Sequence, residues 1–279
     1  MKKTSSKLFL AAAALGLAAA STVGSTYAWF TVNGSAQASG LSMTVAGGSG
    51  IMIKKHADST YLADMNISTD FADKKWEPCT PTGANDLSSF KKINIQNTIS
   101  NNGYKYDTAV NSGNKLYYYT LDLDVRVTDG FNFKVYVSGI NDSSSEDATC
   151  KAANVVRVGF RKYDKTGVNV TETTVHTITT RDYLTENTNY ALTKFKNVFN
   201  ITDPGFTADT ANITDCIDGE GSNYKTVTIA DGATAQNGYV TQRVAIIVWY
   251  EGNDYQCADD ILSKTVSFTL NFVPVAKAA

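Results

Sequence analysis

Period-2 alternation of apolar and polar residues marks Leu116–Thr128 and resumes beyond Asp129-Gly130, from Phe131 to Val137. Tyr117, Tyr119, Leu121, Leu123, Val125 and Val127 fall on one side of an extended chain. Thr120, Asp122, Asp124, Arg126 and Thr128 fall on the other. Successive side chains of a strand point to opposite faces, so this pattern requires an extended segment with one face buried. Beyond the break, Phe131, Phe133, Val135 and Val137 alternate with Asn132, Lys134 and Ser138. Asp-Gly between two alternating runs predicts a β-hairpin, because Gly supplies the positive φ that a tight turn needs.

The same period recurs elsewhere. Val156, Val158 and Phe160 are set against Arg157, Arg161 and Tyr163, and Val266, Phe268, Leu270 and Phe272 against Thr265, Ser267, Thr269 and Asn271. Between Tyr239 and Tyr250, Val240, Val244, Ile246 and Val248 keep one apolar face while Ala245, Ile247 and Trp249 make the other apolar as well. That marks a central strand buried on both sides at one end. Leu41, Met43 and Val45, a glycine-rich turn and Ile51–Ile53 predict a first short hairpin. Two short helices are expected, over Asp182–Asn197 and Cys257–Ser263, and long loops with short strands over 56–115 and 201–237. The expected fold is an all-β, antiparallel two-sheet sandwich, jelly-roll-like, with long loops. Fifteen Tyr and 12 Phe agree with extended structure, and 43% hydrophobic against 19% charged residues excludes a disordered chain. A formal charge of −2 provides no basic field to gather phosphates, so nucleic acid is not an expected partner.

The first residues read as a leader. Lys2, Lys3 and Lys7 precede the apolar run Leu8–Ala20, and small residues lead to Ala28, the pattern of a secretory signal peptide cut between Ala28 and Trp29. The run is short of the roughly 20 residues that span a membrane. Cleavage would remove three Lys and no acid, leaving 22 basic against 27 acidic residues and a charge of −5. The chain thus divides into a signal peptide (1–28), an N-terminal extension (29–39) and a single β-sandwich domain (40–279), secreted and with no membrane attachment after cleavage. Cys79, Cys150, Cys216 and Cys257 form no CxxC pair, so zinc has little support. In an exported chain they permit two disulfides in any of three pairings, or buried thiols.

Gly24-Ser25-Thr26-Tyr27-Ala28-Trp29-Phe30, followed by small polar residues and Ala38-Ser39-Gly40-Leu41, resembles the SipW-type signal peptide of TasA/camelysin-like secreted fibre proteins. The likeness covers about residues 2–45. A looser one is Val248-Trp249-Tyr250-Glu251-Gly252-Asn253-Asp254 with Cys257 and a last alternating strand, as in some clostridial secreted proteins with this type of signal. The resemblance implies export by a SipW-type signal peptidase and a jelly-roll subunit that polymerises with itself by donor-strand complementation, each N-terminal segment filling a gap in its neighbour's sheet. An accessory anchoring protein would be a further partner. The residues are compatible with that: in residues 29–39 Phe30, Val32, Ala36 and Ala38 share a face opposite Thr31, Asn33, Ser35 and Gln37. Burying Trp29, Phe30 and Val32 would contribute about 1.5–3 kcal/mol each. The alternative is that 29–39 is the domain's own edge strand, in a monomeric secreted adhesin or ligand-binding sandwich.

Camelysin-like proteins are described as metallopeptidases, which would require zinc ligands. Only His56 and His176 are present, 120 positions apart, with no HExxH, GxSxG, P-loop or dinucleotide motif. No catalytic residue and no enzymatic activity are expected. No cofactor is expected either, although Asp215, Asp218 and Glu220 in TDCIDGEG, and Asp254, Asp259 and Asp260 near Cys257, leave calcium open. Tyr117 and Tyr119, near Tyr118, could serve as a sugar-stacking platform or as core.

Overall fold

The computed structural model describes residues 38–39, 41–48, 50–67, 70, 74–83, 86–95, 104–144, 151–179, 213–219, 223–252 and 264–277. The strands are β1 (Ala38–Ser39), β2 (Leu41–Gly47), β3 (Ile51–Lys55), β4 (Asp64–Asn66), β5 (Lys75–Trp76), β6 (Thr80–Gly83), β7 (Asp86–Ile95), β8 (Tyr104–Thr108) and β9 (Lys115–Leu116). They continue as β10 (Tyr118–Thr128), β11 (Phe131–Asp142), β12 (Val156–Tyr163), β13 (Val170–Thr177), β14 (Ile213–Cys216), β15 (Lys225–Val227), β16 (Tyr239–Tyr250) and β17 (Val266–Ala276). One turn of 3-10 helix, Ala152–Val155, precedes β12. Both segments expected to be helical lie outside the described residues.

Two sheets form a sandwich. The first has the order β14-β13-β12-β16-β10-β3 and the second β15-β11-β17-β2-β4. Most pairings are antiparallel; β17–β2, β13–β14 and β5–β9 run parallel. The alternation explains the layers. Leu121, Leu123, Val125 and Val127 of β10 meet the inner residues of β16, Val240, Val244, Ile246 and Val248, in one buried cluster. Phe133, Val135 and Val137 of β11 and Val266, Phe268, Leu270 and Phe272 of β17 join it from the opposite sheet. The two phenyl rings Phe133 and Phe272 lie 5.9 Å apart at the cluster centre.

The turn at Asp129-Gly130 does not close a hairpin. β10 pairs with β16 and β3, whereas β11 pairs with β15 and β17. The chain therefore arches from one sheet to the other. Gly47–Gly50 makes the same arch from β2 to β3, correcting the second expected hairpin. A hairpin would have laid both apolar stripes side by side on one sheet; the arch sets them face to face, and both edges of β10 are already occupied. The positive φ of Gly130 (86°) and Gly50 (85°) serves an arch as well as it would a hairpin. The arches meet at one end of the sandwich, where the Thr128 N–H donates to the Gly50 carbonyl (3.4 Å), and the Asp129 N–H donates to the Gly238 carbonyl (2.9 Å).

A third layer covers part of the outer face of the six-stranded sheet. β6, β7 and β8 form a small sheet whose Leu87 and Phe90 pack with Cys79, Tyr117, Ala245, Ile247 and Trp249 in a second buried cluster. This accounts for the two-sided burial of β16. It also corrects the loop reading of 56–115: β7 is ten residues long. Its buried Leu87 and Phe90 are three positions apart, which breaks the period-2 signal.

Candidate functional site

The N-terminal segment enters the sandwich at the end opposite the arches. Ala38 and Ser39 pair with Trp76 and Lys75 of the same chain, and β5 continues onto Lys115–Leu116. Trp76 is fully buried, its ring edge-on to Tyr250 at 5.9 Å. From there β2 runs between β17 and β4, in parallel register with the last strand from Leu41↔Val266 to Gly47↔Phe272. Of the expected donor residues, Ala38 lies in β1. Trp29, Phe30, Val32 and Ala36, and the cleavage pair Ala28 and Trp29, lie outside the described residues.

The Val248–Gly252 motif closes this same end. Val248 and Tyr250 face the main core, and Trp249 faces the outer cluster. The Trp249 indole N–H donates to buried Glu251 at 2.9 Å. The Cys79 N–H donates to the Tyr250 carbonyl (3.0 Å) and the Gly252 N–H to the Cys79 carbonyl (2.9 Å). Arg157, expected on a polar face, is instead fully buried beside Trp249, with its Nη1 donating to the carbonyls of Asn154 and Val156. The signal that could have found this is Trp249 opposite it on β16, which makes that face a covered one.

The three tyrosines do not make an exposed platform. A bend at Tyr117 breaks the alternation, so Tyr117 lies in the outer cluster and Tyr118 stacks on Phe90 with ring centres 4.3 Å apart. Tyr119 returns to the main core, and its hydroxyl donates to Asp70, which also binds Lys55 at 2.8 Å. Burial and the adjacent Asp70 carboxylate push the Tyr119 phenol above its ordinary range. Burial, then Glu77, does the same to Tyr117, whose hydroxyl accepts from Lys92 at 2.9 Å.

The histidines are far apart. His56 follows β3 and lies 2.9 Å from Asp124; His176 is buried in β13 against Phe160, 2.8 Å from Thr174. Four inter-strand steps separate β3 from β13, roughly 19 Å at the usual strand spacing. One metal ion cannot be held by both. Among the described residues no three His, Cys, Asp or Glu side chains group as metal ligands. Of the calcium candidates, Asp218 accepts from the Asn223 amide at 2.7 Å. Asp215 lies in β14, and Glu220 lies outside the described residues, as do Asp254, Asp259 and Asp260.

Cys79 and Cys216 are thiols that are not joined to each other. The Cys79 Sγ donates to the Tyr117 carbonyl at 3.2 Å. Burial pushes the Cys216 thiol up to about 11. Cys150 and Cys257 lie outside the described residues.

A feature unmarked in the sequence reading lies on the outer face of the six-stranded sheet, at the arch end. Arg126 and Thr241, neighbours across β10 and β16, floor an open groove of about 480 Å³. The β12–β13 turn and the loop preceding β16 wall it. That loop ends in a tight turn in which Gln236 and Tyr239 exchange both main-chain hydrogen bonds and Asn237 and Gly238 have φ of 53° and 81°. Asn-Gly is a strong signal for this turn. The fold defines a two-sheet β-sandwich with a third β-layer on one face. No protein-family model, curated protein or solved structure matches the chain.

Proposed function

We propose that this chain is a structural subunit of an extracellular filament or biofilm matrix, exported through a SipW-type signal and assembled by its N-terminal segment. The observation that carries the reading is the junction at Ala38–Leu41. The segment that resembles the fibre-protein leader runs directly into β2, a strand held between two others in the five-stranded sheet. Residues 29–37 are therefore tethered to a rigid body at one end and reach roughly 30 Å when extended. That is the length of a full strand in a second sandwich. Among the described residues β4 and its flanks bond β2 only over Met43–Gly47, and β15 with Ile217 bonds β11 only over Phe133–Val137. An added strand finds main-chain donors and acceptors at such edges, as β-augmentation requires. The subunit in this reading is jelly-roll-like, acts without catalysis and without a cofactor, and is anchored by an accessory protein.

The pairing of Ala38–Ser39 with Lys75–Trp76 favours a second reading, in which the whole extension stays with its own domain in a monomeric secreted adhesin. Protein spanning residues 29–279 and a version starting at Gly40 separate the two, compared by sizing and negative-stain electron microscopy. Filaments from the first and monomers from the second are the expected result. Compact monomers of equal stability from both would end the filament reading and leave the adhesin.

A further inference from the structure

The groove above Arg126 is built from three separate parts of the chain, and Asp122 and Asp124 on the same face are already bound to other cations. On β10 and its neighbours, Asp122 binds Arg243, with Nε to Oδ1 at 3.0 Å. Asp124 binds Lys54 at 2.8 Å and His56 at 2.9 Å. Arg243 is further held by the Gly167 carbonyl and by the face of Tyr163, 4.4 Å from its centroid. Asp164, in the β12–β13 turn, is engaged by the Thr166 hydroxyl and the Asn169 amide, 2.6 and 2.8 Å away. Asp122, Asp124 and Asp164 are thus committed. Arg126 and Lys165 have no carboxylate partner among the described residues.

Both cations reach the groove. The Arg126 guanidinium lies over the Tyr61 ring, 4.0 Å from its centre, a cation–π contact that does not consume its N–H groups. Lys165 crosses the groove to Gly232, whose φ is 72°; a Cβ there would stand 3.2 Å from the ammonium nitrogen. Beside the two cations the lining is Thr166, Thr234, Gln236, Tyr239 and Thr241, which bring hydroxyl or amide groups, with Gly232 and Ala233. The volume is in the range of small-molecule sites, but the walls are polar where most such sites are apolar.

We infer that this groove binds an acidic sugar unit: a polyhydroxylated body carrying one carboxylate or phosphate, its acidic group between Arg126 and Lys165 and its hydroxyls on the Thr, Gln and Tyr side chains. Charge-assisted hydrogen bonds from two fixed cations supply the selectivity for the acid. The hydroxyl lining supplies the selectivity for a polyol over a simple anion. On a chain of net negative charge, two cations without carboxylate partners mark a local site and not a general attraction to polyanions. The inference does not depend on the filament reading.

Isothermal titration of the full chain with trigalacturonate, with a glycerol-phosphate trimer and with neutral maltotriose tests it. At least one acidic probe should bind, and maltotriose should not. Binding of only one acidic probe identifies the acidic group, and either result supports the site. Arg126→Gln and Lys165→Glu should each weaken binding about tenfold or more, while Lys134→Gln, on the opposite sheet, should leave it unchanged. Thermal unfolding checks that each variant folds. Should Arg126→Gln not fold, Lys165→Glu on its exposed turn carries the test alone. Failure of both acidic probes to bind up to about 10 mM, equal binding of maltotriose, or groove variants that bind like the parent would each overturn the inference.

Discussion

A Cβ on Gly159 would stand 2.4 Å from Leu87 Cδ1 and 3.1 Å from the ring of Trp249, so the missing side chain of Gly159 is the socket that receives Leu87. β12 offers no other space there: its neighbours across the sheet are Ile247 on β16 and Val175 on β13, both buried. The small third sheet is docked on the sandwich through this contact.

Gly159→Ala should therefore destabilise the protein by about 1–3 kcal/mol through overpacking, read as a lower urea midpoint. Leu87→Ala alone should cost about 2–5 kcal/mol. Because the two residues share one space, the double variant should cost less than the sum, by about 1 kcal/mol or more. Additive costs would show that the two sites do not touch in solution.

The arch between β10 and β11 depends on backbone freedom rather than on space. Gly130 has φ of 86° and nothing within 4 Å of an added Cβ, so Gly130→Ala should cost about 1–2 kcal/mol by conformation alone. Gly219, also in open space but with no positive φ, is the control. Gly219→Ala should be neutral or stabilising by a few tenths of a kcal/mol. Equal melting temperatures for the two variants would contradict the arch geometry.

Stability should fall in alkali because of Tyr119. Its folded pKa is raised, first by burial and then by Asp70, so its contribution is complete below the unfolded value of about 10 and is lost as pH rises through the folded value. The urea midpoint should decline above about pH 10, and the decline should be shallower in Tyr119→Phe. For Asp70, burial opposes ionisation, but hydrogen bonds from Lys55 and Tyr119 win and lower its pKa. Its contribution is accordingly present above the ordinary carboxylate range and lost as pH falls through the lowered value. An unchanged alkaline slope in Tyr119→Phe would remove this assignment.

Cys79 and Cys216 should be silent to iodoacetamide at pH 8 in the folded protein and react without reductant once it is unfolded. Cys79 is buried, and the Cys216 thiol, pushed up to about 11, is almost wholly protonated at that pH. Peptide-resolved mass spectrometry reads both positions. Recovery of either residue in a disulfide would contradict the thiol state.

The phase of the long sandwich strands was legible in the residues themselves. Which side of Leu121–Val127, Val156–Phe160, Val240–Val248 and Val266–Phe272 is buried follows from period 2, and the structure places those sides in one core. The two-faced burial of Ala245, Ile247 and Trp249 was legible for the same reason. Nothing local marks the groove: Arg126, Lys165 and Gln236 lie on three elements brought together only by the pairing of β16 with both β10 and β12.

Pairing is what the sequence by itself left undetermined. Asp129-Gly130 satisfies the same backbone requirement in a hairpin and in an arch, because positive φ is a property of one residue, whereas the choice between them depends on which strands already occupy the edges of β10. Burial of Arg157 and docking of Leu87 on Gly159 were settled in the same way, by a layer arriving from elsewhere in the chain. Side-chain direction is a short-range consequence of the extended backbone. Strand partnership is a competition among distant segments for the same main-chain donors and acceptors, and only the complete tertiary structure decides it.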